Sequence, residues 1–258
     1  MSINKQIIMK TRPVGMPKLE NFEIIENEIP EIRNGEVLIK ILWLSLDPYM
    51  RGRMSTAKSY AASLHEGDVI VGGAVGRVIK SETKEYKEGD IVEGFTLGWQ
   101  EYAIATPATI RKIDPNLAPI QTAVGVLGMP GMTAFFGLLH VGKPIPGDTV
   151  VVSAASGAVG QLVGQIAKIA GCYVVGIAGG KEKCNFLLNT LNFDAAIDYK
   201  NENVDDMLDK YCPKGVNVYF DNVGGNITDS VINKLANYAR VAVCGVISQY
   251  NLTAPEPG

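Results

Sequence analysis

From Gly147 onward, short apolar runs rich in β-branched residues alternate with segments that have the apolar spacing of amphipathic helices. The apolar runs are, in order, TVVVSA, CYVVGIA, DAAIDY, VNVYFDNVG and RVAVCGVIS. Strands that alternate with helices form parallel sheets, because each connection has to cross back over one face of the sheet. This half of the chain therefore predicts an α/β domain with a doubly wound parallel sheet of the Rossmann type. Such sheets usually have six strands, so we expect the C-terminal part of the domain to be missing.

The first hundred or so residues have a different pattern. EVLIKILWLSL, GDVIVGGAVGRVIK and GDIVEGFTLGWQEYAIA alternate apolar and polar residues and are separated by Gly-Asp and Glu-Gly turns. This pattern is typical of a compact, mostly β domain. Because the apolar spacing becomes helical from Pro119, we predict two domains, residues 1–125 and 126–258.

The composition excludes several classes of function. The chain has a net charge of −3, and its lysines and arginines do not form the positive cluster that nucleic acids require. We expect no signal peptide and no membrane span, since the sequence has neither an apolar leader nor an apolar run of bilayer length. Four cysteines without CxxC spacing and only two histidines predict reduced thiols, no metal site and a cytoplasmic location.

The first strand-to-helix junction of the second domain, AASGAVG at 154–160, is similar to a dinucleotide-binding turn in which Ala155 replaces one glycine. Gly157 would let a pyrophosphate approach the backbone, and Gly160 would let the helix pack closely on the strand. An alanine at position 155 indicates that this residue does not need a positive φ angle. A packing turn that binds no ligand is the alternative interpretation.

The second strand of this domain ends in Ala178-Gly179-Gly180, followed by Lys181 and Lys183. An acid at this place would hold the ribose hydroxyls of NAD and would repel the 2′-phosphate of NADP. Small residues leave room for the phosphate, and a lysine supplies the opposite charge. The sequence therefore predicts NADP(H), unless both lysines are only solvated residues of a first helical turn.

Seven segments, taken together and in this order, resemble the zinc-independent medium-chain dehydrogenases/reductases. Within them the chain is similar to the prostaglandin reductase group, which includes leukotriene hydroxydehydrogenases and alkenal double-bond reductases. The resemblance implies a GroES-like N-terminal domain, a homodimer for a complete chain, and hydride transfer from NADPH to the β-carbon of α,β-unsaturated ketones and aldehydes. The segments are LSLDPYMRGRM, VGGAVGRV, MPGMTAFFGL, AASGAVGQLVGQIAK, FDAAIDYK, VYFDNVGGNITDSVI and CGVISQYN.

The resemblance also implies roles for individual residues. Lys183 and Tyr199 match the positions that hold the 2′-phosphate, and Asn222 matches one that lines the dinucleotide site. Tyr250 matches the tyrosine that contacts substrate, with Tyr60 as a second candidate; a buried structural hydroxyl is the alternative for both. The other positions implied to contact the cofactor are Gly157, Ala158, Val159, Gly160, Cys244, Gly245, Val246, Ile247, Ser248, Gln249 and, again, Tyr250.

Two other functions remain open from the sequence. A quinone reductase of the same superfamily would use the same cofactor site, and a non-catalytic dinucleotide-binding protein would need only that site. An NAD-dependent alcohol dehydrogenase is disfavoured, because the chain lacks both a set of zinc ligands and the acid expected after the second strand.

Overall fold

The structure, a computed structural model, describes residues 3–57 and 61–254. The chain divides into two compact units, Met1–Gly128 and Met129–Gly258. None of the helices in the described ranges combines the length and the apolar content that crossing a bilayer requires.

The first unit is mostly β, as predicted, and all of its strand pairs are antiparallel. A hairpin of β1 and β2 accompanies a five-stranded sheet with the order β6-β3-β4-β5-β7. The elements are β1 (Ile3–Met9), β2 (Phe22–Glu28), β3 (Val37–Leu44), α1 (Tyr49–Arg53), β4 (Ala74–Ser81), β5 (Ile91–Gly94), β6 (Tyr102–Ala105), β7 (Arg111–Lys112) and the 3₁₀ helices Leu19–Asn21, Pro107–Thr109 and Ile120–Val124.

The second unit contains a five-stranded sheet whose strand pairs are all parallel, with the order β10-β9-β8-β11-β12. The first strand lies at the centre and the chain winds outward in both directions, which confirms the predicted Rossmann fold. The elements are α2 (Met129–Phe136), the π-helix Gly137–Gly142, β8 (Thr149–Ser153), α3 (Gly160–Ile169), β9 (Tyr173–Ala178), α4 (Lys181–Asn189), β10 (Ala195–Asp198), α5 (Val204–Tyr211), β11 (Val216–Asp221), α6 (Gly225–Ile232) and β12 (Leu235–Val243).

The last strand differs from the sequence-based prediction at both ends. It begins at Leu235 rather than near Arg240, and it ends at Val243, so CGVIS lies in the loop that follows. Its early residues were missed because the pairing with β11 shifts register between Val216 and Val218. Tyr238 has a φ angle of 62° within the strand, which interrupts the alternation by which strands are identified.

Helices cover both faces of the parallel sheet. In β8, Val150 and Val152 belong to one core cluster with residues of α3 and α4, whereas Val151 belongs to another with residues of α5 and α6. Successive side chains of a strand point to opposite faces, so a strand buried on both faces needs an unbroken apolar run. The sequence TVVVS at 149–153 meets this requirement.

Candidate functional site

A cleft of about 800 Å³ lies at the carboxyl ends of the five parallel strands. Open α/β sheets bind ligands at this edge, and the volume is in the range of small-molecule sites. The lining includes Ala154 and Gly157 after β8, Gly179 after β9, Tyr199 after β10, 223–227 after β11, and Ile247 and Ser248 after β12. Among residues 3–57 and 61–254, those that line the cleft all belong to the second unit.

The turn between β8 and α3 forms one side of this cleft. Ala154 has a φ angle of 47°, in the left-handed region that costs a residue other than glycine about 1–2 kcal/mol. Ala155 is fully buried and does not have a positive φ angle. The residue that needs the unusual conformation therefore precedes the position at which the motif's first glycine is replaced, and this explains why alanine fits at 155.

The start of α3 packs directly on this turn. A Cβ atom at Gly160 would overlap the carbonyl oxygen of Ala154 and would lie 2.8 Å from Cα of Ala155. One turn later, a Cβ atom at Gly164 would overlap the ring of Phe193. Gly160 thus brings the amino end of α3 close to the turn that contains Gly157 of the cleft lining, and Gly164 makes room for the ring of Phe193.

Lys183 and Tyr199 line the same cleft, although they are 16 positions apart in the sequence. Lys183 is in the first turn of α4, and the ring of Tyr199 lies against Gly179, where a Cβ atom would be 2.9 Å from Cε1 of the tyrosine. The glycine therefore makes room for the aromatic ring. A lysine and a tyrosine hydroxyl at one place can together donate to a phosphate.

The carboxylate next to Tyr199 in sequence, that of Asp198, accepts local hydrogen bonds. It accepts from the side chain of Asn201 at 2.7 Å and from the main-chain N–H groups of Gly180 at 2.7 Å and Lys200 at 3.2 Å. The bonds from Asn201 and Gly180 hold the pKa of Asp198 below its ordinary value. Asp198 thus organises the loop and does not take the place of the missing acid after β9.

A buried carboxylate, Asp221 at the end of β11, connects the loops around the cleft. Its Oδ1 accepts from Ser153 Oγ at 3.1 Å, from the Tyr219 hydroxyl at 2.9 Å, and from the N–H groups of Val223 at 2.9 Å and Gly224 at 3.0 Å. Its Oδ2 accepts from Thr228 Oγ1 at 2.6 Å. Five donors from β8, β11, the following turn and α6 therefore converge on one side chain.

These hydrogen bonds also fix the charge of Asp221. Burial alone would raise its pKa, but the bonds from Thr228, Gly224, Val223 and Tyr219 outweigh burial and hold the pKa below its ordinary value. The carboxylate is therefore ionised at neutral pH and stays a full acceptor for all five donors.

The segment after β12 is attached to the end of β11 through main-chain atoms. The N–H groups of Cys244 and Gly245 donate to the carbonyl oxygen of Asp221 at 2.8 and 3.1 Å, and that of Ser248 donates to the carbonyl of Val223 at 3.1 Å. Ile247 and Ser248 face the cleft as a result. The position of this wall is thus set mainly by its backbone.

Tyr250 folds back over this segment. A Cβ atom at Gly245 would lie 3.2 Å from the Tyr250 hydroxyl oxygen and 3.6 Å from the carbonyl oxygen of Asn222. Its hydroxyl therefore lies near the ends of β11 and β12. The tyrosine is partly exposed and is not part of the buried core. Tyr60, the second candidate, lies outside the described residues.

The structure brings Gly157, Lys183, Tyr199, Ile247 and Ser248 together in the cleft lining. The other residues implied by the resemblance are not among the lining residues: Ala158, Val159, Gly160, Asn222, Cys244, Gly245, Val246, Gln249 and Tyr250. The side-chain amide of Asn222 donates to the carbonyl oxygen of Ser153 at 2.8 Å and so holds β8 and β11 together.

Sequence reasoning missed the part of the lining that α5 and α6 provide. These residues include Asn203, Val204, Asp205, Ile227 and Ser230. The adjacent glycines of FDNVGG could have indicated this wall, because Gly224 and Gly225 both have positive φ angles and turn the chain sharply into α6.

Comparison with known proteins gives matches to both units. The family described as "N-terminal domain of oxidoreductase" matches residues 5–113, and that described as "Zinc-binding dehydrogenase" matches residues 158–256. The chain is 48% identical over 260 residues to a 2-alkenal reductase (NADP(+)-dependent) of Nicotiana tabacum, covering 98% of this chain and 75% of that protein. It is 44% identical over 247 residues to prostaglandin reductase 1 of Rattus norvegicus, covering 94% and 72% respectively.

A solved structure agrees with these relationships. The crystal structure of CurA in complex with NADPH from Vibrio vulnificus superposes with a TM-score of 0.94 at 47% identity, over 98% of this chain and 75% of that one. Within residues 3–57 and 61–254, no three His, Cys, Asp or Glu side chains are grouped so that they could hold a metal ion. These residues do not fit the zinc site that the second family's description names. The chain belongs to the zinc-independent medium-chain dehydrogenases/reductases, in the group that contains prostaglandin reductase and 2-alkenal reductase.

Proposed function

We propose that this protein is an NADPH-dependent reductase of the carbon–carbon double bond in α,β-unsaturated ketones and aldehydes. The observation that carries the proposal is the cleft, in which Gly157, Lys183 and Tyr199 come together at the carboxyl edge of a Rossmann sheet. The similarity to a 2-alkenal reductase and a prostaglandin reductase supports the substrate class. The CurA complex with NADPH supports the cofactor.

The residues of the cleft fit NADPH well. The glycine turn and the amino end of α3 would receive the pyrophosphate, and Lys183 with Tyr199 would hold the 2′-phosphate. Ile247 and Ser248 would form the wall supplied by the segment after β12. When bound, NADPH supplies the hydride that adds to the β-carbon of the substrate.

The role proposed for Tyr250 follows from the charge that develops on the substrate. Addition at the β-carbon shifts negative charge to the carbonyl oxygen, so a donor placed there lowers the barrier. The Tyr250 hydroxyl would donate a hydrogen bond to this oxygen, and solvent would provide the proton for the α-carbon. Tyr60 stays the second candidate for the same role.

The activity can be tested by following NADPH absorbance with a conjugated enone, its saturated ketone and a quinone. We expect NADPH to be oxidised in the presence of the enone but not in the presence of the saturated ketone, because only the enone has an electrophilic β-carbon. Oxidation with the saturated ketone but not the enone would contradict double-bond reduction. Faster oxidation with the quinone would favour a quinone reductase, and binding without any oxidation would favour a non-catalytic dinucleotide-binding protein.

Replacing Lys183 by alanine is expected to weaken NADPH binding about tenfold to hundredfold, the usual effect of losing a charge-assisted hydrogen bond. The Kd for NADH, which has no 2′-phosphate, is expected to stay unchanged. Lys181→Ala is the matched control, because Lys181 is in the same turn of α4 but does not line the cleft. Equal weakening of NADPH and NADH binding in Lys183→Ala would show that the lysine does not contact the 2′-phosphate.

Replacing Tyr250 by phenylalanine is expected to lower kcat about a hundredfold, as the loss of one oxyanion donor does in other enzymes, while the Kd for NADPH is unchanged. Single-turnover kinetics with an enone would measure this effect. Tyr238→Phe is the control, because Tyr238 is 95% exposed in the same unit. Unchanged turnover in Tyr250→Phe would remove this hydroxyl from the mechanism.

The roles of the two domains, the assembly and the location also belong to this proposal. Residues 1–125 would form the catalytic domain and residues 126–258 the NADP-binding domain. A homodimer, the form expected for the family, would be seen by light scattering. The four cysteines are free, which supports a reducing compartment such as the cytoplasm.

A further inference from the structure

Part of the cleft lining comes from α5 and α6 and has no role in the function proposed above. Val204 at the start of α5 and Ile227 in α6 both line the cleft, and both pack against the core beneath it. Their positions are therefore fixed by the fold. Two aliphatic side chains attached to the core offer a planar ring an apolar surface, which is the usual environment of a bound base.

A carboxylate borders the same part of the cleft. Asp205 is partly buried, and its Oδ2 accepts a hydrogen bond from Ser230 Oγ at 3.0 Å, which joins α5 to α6. Among the described residues no donor bonds its Oδ1. The bond from Ser230 orients the carboxylate, and Oδ1 stays available as an acceptor in a residue that lines the cleft.

The sign of this charge restricts what it can face. A carboxylate repels phosphate groups, so Asp205 cannot lie against the 2′-phosphate or the pyrophosphate. It favours a group that only donates, and the exocyclic amino group of adenine is such a donor on the edge of a planar ring. Lys183 and Tyr199, from α4 and the end of β10, supply the donors that a phosphate needs.

We propose that Asp205 is a specificity residue that accepts a hydrogen bond from the 6-amino group of adenine, with the ring held against Val204 and Ile227. The inference rests on the proposed NADPH site. It adds a selection for adenine over other purines in the adenosine half of the dinucleotide, whose 2′-phosphate would be selected by Lys183. The sequence did not predict Val204, Asp205 or Ile227 as site residues.

The test compares NADPH with its hypoxanthine analogue, in which a carbonyl oxygen replaces the 6-amino group and N1 gains a hydrogen, while the ribose, phosphate and nicotinamide parts are unchanged. We expect the wild-type protein to bind NADPH about tenfold to hundredfold more tightly, because the analogue loses a charge-assisted hydrogen bond and places an oxygen against a carboxylate. Fluorescence titration gives both Kd values without any turnover. Equal Kd values in the wild-type protein would overturn the inference, and this measurement needs no variant.

Asp205→Asn tests the residue itself. The amide can accept from the amino group or donate to the carbonyl oxygen, so the preference is expected to fall to within about twofold. Asp206→Asn makes the same charge change one residue away, at an exposed position outside the lining, and is expected to keep the wild-type preference. If Asp205 instead contacted a ribose hydroxyl, Asp205→Asn would weaken both dinucleotides equally and keep their ratio, which would contradict the assignment.

The outcomes separate this inference from the proposed function. Tight binding of both dinucleotides, with equal Kd values for NADPH and its analogue, would leave the reductase proposal intact. It would show that Asp205 does not accept a hydrogen bond from adenine. Failure of the wild-type protein to bind either dinucleotide would contradict the NADPH site itself. Ser230→Ala provides an independent check, because loss of the orienting bond is expected to reduce the preference without removing the carboxylate.

Discussion

Replacing Asp221 by alanine is expected to lower the free energy of unfolding of the second unit by about 3–5 kcal/mol, the effect of removing one partner from a buried charged network. The side chain is 2% exposed and accepts hydrogen bonds from five donors. Without the carboxylate these donors stay buried and lose their acceptor, at a cost that packing of the alanine cannot offset. Chemical denaturation followed by a probe in the second unit would measure the change.

Asp229→Ala is the control for this experiment, because Asp229 is an exposed acid in the same helix as Thr228. We expect its effect to be within about 0.5 kcal/mol, as for most surface substitutions. An Asp221→Ala variant as stable as this control would show that the network does not stabilise the unit.

The stabilising effect of Asp221 is also expected to depend on pH in a defined direction. Because the pKa of the folded state is lower than the ordinary value, the contribution is complete above the pKa of the unfolded chain, about 3.9. It is lost as the pH falls toward the lower folded-state pKa. The difference in stability between wild type and Asp221→Asn is therefore expected to shrink below about pH 4.

Replacing Gly160 by alanine is expected to weaken NADPH binding by more than about tenfold and to destabilise the second unit by about 1–3 kcal/mol, the usual cost of overpacking. The new methyl group would overlap the Ala154 carbonyl oxygen and crowd Cα of Ala155. Both contacts are with backbone, so the only relief is to move the start of α3 away from the turn. Titration with NADPH and thermal denaturation would measure the two effects.

Gly52→Ala is the matched control, since it also adds a methyl group to a helical glycine but no atom lies within 4 Å of the new Cβ. It is expected to leave NADPH affinity unchanged and not to lower stability, since alanine is favoured over glycine within a helix. A Gly160→Ala variant that binds NADPH as tightly as Gly52→Ala would mean that the turn can shift without cost, contrary to the packing described for α3.

Features set by local pattern could be predicted from the sequence, and features set by packing could not. The strand-helix alternation predicted the parallel sheet, and the glycine turn with Lys183 predicted one side of the cleft. The start of β12 at Leu235 was missed because a register shift and the left-handed Tyr238 disturb its alternation. Asp205 was missed for another reason: an acid in the first turn of a helix is common, and only the tertiary fold places this one on the cleft.

The backbone attachment of residues 244–249 has a consequence for how this protein can change. Main-chain groups of Cys244 and Ser248 hold the segment to Asp221 and Val223, so the loop keeps its path whichever side chain it carries at Ile247. A single substitution at position 247 changes the chemistry of this part of the cleft lining without a change in the backbone path of the loop. Substitution of residue 247, which lines the cleft, can consequently change ligand preference, in natural divergence or in directed evolution, while the scaffold stays the same.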